Sequence, residues 1–235
     1  MITKTNKPAE PVDFDAGVSV LIDKPLYWSS FKVIHELRKA ARVKKAGHAG
    51  TLDPRATGLL IVCTGKSTKQ LSQFMDLSKT YTGTFTLGKI TPSMDSETEV
   101  SEERDYTFVT PQMLNDARDK FLGVIHQVPP MYSAVSIGGK KLYHLARKGR
   151  EVHREPREVT IHSFEITRVA LPEVDFAITC SKGTYIRVIA ADFGAILGCG
   201  GYLTSLRRTA IGDLQVADAF TMDEFRSLTA GLRSL

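Results

Sequence analysis

The chain has 235 residues, enough for one large or two small domains with a substantial core. Hydrophobic residues make up 42% and charged residues 24%, an ordinary globular balance, and no apolar run approaches the roughly 18 residues of a membrane helix. A formal net charge of +5 is a mild pull towards a polyanion such as RNA or DNA.

Met1 to Pro11 carries lysines and a proline without an apolar core, so residues 1–17 are expected to be a disordered tail rather than a signal peptide. Val18 to Ile22 reads as a strand. Ser29 or Ser30 is a plausible N-cap for a helix running to about Val43, with Phe31, Ile34, Leu37 and Ala41 as its inward stripe. Lys32, His35, Arg38, Lys39 and Arg42 form a basic face, which serves a phosphate backbone or simply water.

Gly47 to Gly58 has no helical or strand period and is expected to be a loop. Pro54 pushes Asp53 into an extended conformation, so one carboxylate is presented from a stiff, glycine-lined platform. An ordinary tight turn would use the same residue types. Leu59 to Cys63 is an unbroken apolar run, the pattern of a buried strand.

Ser67 or Thr68 is expected to cap a helix bearing Leu71, Phe74 and Met75. Thr80 to Leu87 alternates as a half-buried strand, with Tyr81 on the inward face. Lys89 to Arg104 is polar and reads as surface loop. Thr110 and Pro111 open a helix that Gly123 closes. A strand over Ser133–Ile137 and a short helix over Lys140–Lys148 follow.

Lys140, Lys141, Arg147, Lys148, Arg150, Arg154 and Arg157 are interleaved with Tyr143, His144 and His153, a composition suited to an RNA-gripping arm. Long strands over Val159–Val169 and Val174–Cys180 precede a helix from Tyr185 to Leu197. Arg187 lies in its first turn, against the helix dipole, and therefore needs a partner, a buried carboxylate being the natural one. Thr221 to Glu224 is a capping box. Mixed strands and helices without strict alternation give an α+β class with a mostly antiparallel sheet. Cys63, Cys180 and Cys199 lack CxxC or zinc spacing and are expected to be reduced, buried thiols in a cytoplasmic protein.

The run GHAGTLDPRATGLLIVCTGKSTK, Gly47 to Lys69, closely resembles the catalytic motif of the TruB family of tRNA pseudouridine synthases. Asp23-Lys24-Pro25 with Ser29-Ser30, Lys79-Thr80-Tyr81, and Cys180 to Arg187 resemble further family segments in the same order. Val128 to Ala134 and Gly139 to Tyr143 look like its RNA-clasping thumb, and Leu203 to Arg208 like its final catalytic strand. Two positions depart from the family pattern: Tyr27 stands where glycine is usual, and Arg55 where an apolar residue is usual.

The resemblance, which runs from about Val18 to Asp218, implies a pseudouridine synthase fold over 18–235 with a thumb insertion at about 124–158. It implies isomerisation of uridine 55 in the T-loop of tRNA, by base flipping. Asp53 would be the nucleophile, Tyr81 would stack on the flipped base, and Arg187 would hold Asp53 ionised. His48 would fill the vacated stack, Lys24 would support the loop, and Leu206 would form an apolar wall. Lys182, Tyr185, Lys140, Lys141, Arg147 and Lys148 would contact RNA.

No metal or other cofactor is implied, and the expected partner is the tRNA T-arm, with no membrane, no obligate protein partner and a monomeric state. About fifteen residues follow Thr221, too few for the PUA domain that many members carry, so none is expected. The competing readings are a relative modifying another RNA and an RNA-binding tRNA-folding chaperone.

Overall fold

The computed structural model describes residues 1–133, 136–137, 140–146 and 149–232, with 136, 137, 140, 141 and 143 described by backbone alone. The first elements are β1 (Ser19–Lys24), α1 (Ser30–Ala41), β2 (Ala46–Ala49), β3 (Ala56–Thr64), α2 (Leu71–Asp76) and β4 (Lys79–Leu87). Then come β5 (Lys89–Ile90), β6 (Glu102–Glu103), α3 (Pro111–Asp119), β7 (Gly123–Gln127), β8 (Ser136–Ile137), β9 (Lys140–Lys141) and α4 (Leu142–Ala146). The last are β10 (Arg157–Ala170), β11 (Glu173–Cys180), α5 (Ile186–Leu197), β12 (Gly201–Ile211), β13 (Leu214–Gln215) and α6 (Met222–Gly231).

The chain divides into two compact units, one of Met1–Tyr81 with Leu206–Leu235 and one of Thr82–Ser205, so the chain passes between them within β4 and within β12. The class is α+β with mostly antiparallel pairing, as the mixed pattern predicts.

In the first unit β3 explains its own composition. Leu60 and Val62 enter one core with Val20, Ile22, Val33, Leu37 and Phe225. Leu59, Ile61 and Cys63 enter a second, with Leu21, Ala49 and Ile211. A strand covered on both faces is apolar at every position. Each such aliphatic side chain contributes about 1.5–3 kcal/mol on burial. β1 and β2 pair with β3 antiparallel, and β12 pairs with it in parallel, Leu206–Arg208 opposite Ala56–Gly58. Gly58 has φ 106, and a Cβ there would collide with the Arg208 carbonyl, so only glycine lets the two strands meet.

Ser29 caps α1, its hydroxyl accepting from the Lys32 amide. The inward stripe differs from the expected one: Ser30, Val33, Ile34 and Leu37 are buried, Ala41 is half-buried, and Phe31 is 76% exposed. The basic residues Lys32, His35, Arg38, Lys39 and Arg42 are all exposed. The expected disorder of residues 1–17 is corrected. Ile2 bridges Val20, Phe14 is buried, and the Thr64 hydroxyl donates to the Phe14 carbonyl at 2.7 Å. Two apolar side chains and a few backbone bonds suffice to hold a segment whose composition alone looks unstructured. Gly47–Ala49 belongs to β2, so the loop at Asp53 is shorter than the sequence suggests. A 3-10 turn over Gly65–Gln70 leads into α2, which neither Ser67 nor Thr68 caps; the Thr68 hydroxyl bonds the Gly65 carbonyl instead.

In the second unit β12, β4, β11, β10 and β7 are neighbours in that order. Their core is a phenylalanine cluster: Phe85 stacks on Phe176 with centroids 4.2 Å apart, and Phe164, Phe193 and Phe121 close around them. Thr110 caps α3 with Pro111 behind it, as expected. The helix stops at Asp119, and Gly123, at φ 86, opens β7 rather than closing the helix. The supposed surface loop 89–104 is also corrected. It holds β5 and β6, and buries Thr91, Ser93 and Asp95.

Candidate active-site loop and its partners

Residues 50–55 join β2 to β3, and the loop is gripped at three successive places. At Gly50, which adopts φ 82, the carbonyl accepts from Arg208 Nη2 at 3.2 Å. Arg208 is itself fully buried, its Nε donating to the Leu59 carbonyl at 2.7 Å. At Leu52 the Ser30 hydroxyl accepts from the amide at 3.0 Å and donates to the carbonyl at 3.1 Å. At Pro54 the carbonyl accepts from the Tyr27 amide at 2.8 Å and from Lys24 Nζ at 3.5 Å. Asp53 sits between the last two grips, half-buried, its carbonyl closing a turn onto the Ala56 amide at 3.0 Å. A carboxylate on so fixed a backbone is positioned without further ordering cost.

Lys24 is 0% exposed, and its ammonium also donates to the carbonyls of Trp28 at 2.6 Å and Pro25 at 3.0 Å. Burial lowers its pKa to about 8, with Arg208 pushing the same way and the charges of Asp53 and Asp23 opposing. Arg207 pairs with Asp23 at 2.6 Å. Buried or half-buried cations therefore surround the loop, an electrostatic setting that favours the ionised carboxylate. His48 is half-buried on β2, and burial first, then Arg208, lowers its pKa, so it is neutral at pH 7. Its Nδ1 is buried without a hydrogen-bond partner among the described residues. Its ring meets Phe31 edge-on at 6.1 Å. Leu206 faces Ala56 in register across β3 and β12, at the exit of the loop, and Tyr81 is buried on β4.

In the second unit Arg187, the second residue of α5, is 4% exposed. Asp95 is a carboxylate partner of it, at 3.5 Å. Asp95 is held in turn: its carbonyl accepts from the hydroxyls of Thr91 at 2.7 Å and Ser93 at 3.1 Å, and its Oδ1 from the Glu97 amide at 2.9 Å. The Arg187 guanidinium also lies 5.6 Å from the Tyr185 ring. Tyr185 is the N-cap of α5, and buried Gln127 clasps its backbone, accepting from the amide at 2.9 Å and donating to the carbonyl at 3.2 Å. Lys182 is exposed in the preceding turn. Lys140 and Lys141 are described only as the backbone of β9, while Arg147 and Lys148 lie outside the described residues.

Thus the first unit carries Lys24, His48, Asp53, Tyr81 and Leu206, and the second carries Lys182, Tyr185 and Arg187. Arg208, Gln127 and Asp95 escaped the sequence reading as supports of these residues, and Ser30 entered it as a cap candidate and as part of the Asp23–Ser30 motif, not as a support of the loop. The one usable signal was chemical: an arginine amid the alternating strand residues of β12 needs acceptors if its side chain points inward.

Comparison with known proteins adds the following. The model described as the TruB family pseudouridylate synthase N-terminal domain matches residues 38–186. One described as the tRNA pseudouridylate synthase B C-terminal domain matches 187–233. A Flavobacterium johnsoniae protein named tRNA pseudouridine synthase B is 48% identical over 222 residues, covering 92% of this chain and 97% of that one. One of the same name from Opitutus terrae is 47% identical over 209 residues, covering 89% and 87%. Among solved structures, a chain in the crystal structure of a Cbf5-Nop10-Gar1 complex superposes with TM-score 0.71 at 24% identity. That match covers 97% of this chain and 58% of the other, and it speaks to the fold alone.

Proposed function

As the chain belongs to the TruB family of pseudouridine synthases, we propose that it isomerises uridine 55 in the T-loop of tRNA to pseudouridine, with Asp53 as the nucleophile. The observation that carries this reading is the triple grip on residues 50–54, which holds one half-buried carboxylate among cations. A carboxylate is suited to attack an electron-poor sugar or base carbon. The N1–C1′ bond breaks and a C5–C1′ bond forms, C5 gives up its proton and N1 takes one up, so atoms and electrons balance without a redox or hydrolytic partner. A single carboxylate also avoids the paired acid and poised water that would release the base.

The target base lies inside a folded loop and must be flipped out, at roughly a few kcal/mol of unstacking. Neutral His48, edge-on to Phe31, is the group that enters the vacated stack. Tyr81 stacks on the flipped uracil, Leu206 walls the pocket, and Arg187 has the role that the resemblance implies, that of keeping Asp53 ionised. Lys24 acts through the loop it braces, as a positioning residue. Lys182, Tyr185 and the basic arm from Lys140 to Arg157 hold the T-arm. A monomer working in the cytoplasm on tRNA, with no obligate protein partner, completes the reading.

Incubation of the purified chain with an unmodified tRNA transcript and no added cofactor tests it. One pseudouridine, at position 55, is expected. Absence of pseudouridine, or its appearance only at other positions, would overturn the assignment.

A further inference from the structure

The turn before α1 spends backbone strain on an exposed ring. Tyr27 adopts φ 63, the left-handed region where an L side chain crowds its own backbone and Gly, Asn or Asp is the usual occupant. Burial does not offset this, because the side chain is 70% exposed. The backbone beneath it is nevertheless rigid. The Tyr27 amide is bonded to the Pro54 carbonyl, and Lys24 holds the carbonyls on either side, at Pro25 and Trp28. A large aromatic is thus fixed beside the residue that follows Asp53, with no packing role to explain it.

Cations accompany the rings on this surface. The Arg55 guanidinium lies 5.9 Å from the Tyr27 centroid, and Lys32 Nζ lies 4.3 Å over the Trp28 ring. Phe31 is 76% exposed one turn further along. A protein partner docking on apolar area would be opposed by fixed charges at that spacing. Alternating rings and cations instead match unstacked bases on a phosphate backbone, since every base has a π-face and every linkage an anion.

We propose that Tyr27, with Arg55 against its ring, is a stacking platform for a nucleobase of the substrate RNA next to the reactive uridine. The proposal rests on the RNA-modifying function above and deepens it by naming a positioning contact on the substrate's flank. Tyr27 takes the base face, Arg55 the adjoining phosphate.

The test is binding of an unmodified tRNA transcript in the Asp53→Asn background, where no turnover intervenes. Tyr27→Asn keeps a residue tolerant of the left-handed region but removes the ring, and is expected to weaken binding about tenfold. Tyr27→Phe should restore the parent affinity, and the melting temperature of Tyr27→Asn should equal or exceed the parent's. In the active enzyme the loss should appear in KM and leave kcat in place. Binding of Tyr27→Asn within about twofold of the parent would overturn the platform, as would a Tyr27→Phe variant as weak as Tyr27→Asn, which would assign the effect to the hydroxyl. Failure of the wild type to make pseudouridine is a separate result and leaves the binding comparison readable.

Discussion

The Asp53 loop is held by side chains bonded to its backbone, whereas at the Arg187 turn one support grips backbone and the other pairs with the guanidinium itself. Around Asp53 the grips are cations and a hydroxyl, Arg208, Lys24 and Ser30, acting largely on carbonyl oxygens. Around Arg187 they are an amide and a carboxylate, Gln127 and Asp95. The difference follows from the charge each segment presents. Cations behind a carboxylate lower the cost of keeping it ionised. An arginine at a helix N-terminus opposes the dipole, and Asp95 compensates that while Gln127 fills an open amide of the same helix end. Each support therefore fixes geometry and electrostatics together.

The largest way to break this comparison is Arg187→Lys. It keeps the charge but loses the planar fork, and kcat should fall by about a hundredfold or more with little change in RNA affinity. Steady-state kinetics beside filter binding decides it. Equal loss of both would make Arg187 a binding group only.

Lys24 sharpens the first half. Its pKa falls from 10.5 unfolded to about 8 folded, so between those values the unfolded chain binds more protons and stability rises with pH. Relative to Lys24→Met, in which every other group titrates alike, the wild type should gain up to about 3 kcal/mol from pH 7 to 10.5. Urea unfolding of both at several pH values measures it. A flat difference would mean that the ammonium is not held in a dry site.

Gln127→Ala tests the second half, leaving the half-buried Tyr185 amide without its acceptor at about 1–3 kcal/mol, while the Tyr185 carbonyl keeps the amides of Val188 and Ile189. Ser30→Ala does the same at Leu52, at about 1–2 kcal/mol, but should also lower kcat by loosening the residue before Asp53. A Ser30→Ala enzyme with lowered stability and an undisturbed kcat would show that this grip serves folding rather than chemistry. Smallest in effect, neutralising Arg150, Arg154 and Arg157 should reduce the salt slope of tRNA binding by about one unit for each lost phosphate contact.

The helices were legible where a local signal sets them, as at Ser29, Thr110 and Thr221. Strand β3 was legible because coverage on both faces leaves an unbroken apolar run. The outward turn of Phe31 was not, since helical spacing admits a stripe shifted by part of a turn, and Val33 took the inward place. Nor was the inward folding of 89–104, because Thr91, Ser93 and Asp95 satisfy one another and hydropathy counts only their polarity. The position of Asp53 was readable from Pro54 and the glycines around it. Its supports were not, because the bonds from Arg208 to Gly50 and from Ser30 to Leu52 span 158 and 22 residues and leave no period in the sequence.

The most direct test of the nucleophile is Asp53→Asn, which preserves shape and removes the charge. Mapped against position 55 of an unmodified transcript, this variant should bind tRNA as tightly as the wild type and form no detectable pseudouridine, a loss of at least about a thousandfold in rate. Turnover at the wild-type rate would contradict the assignment of Asp53 as the attacking group.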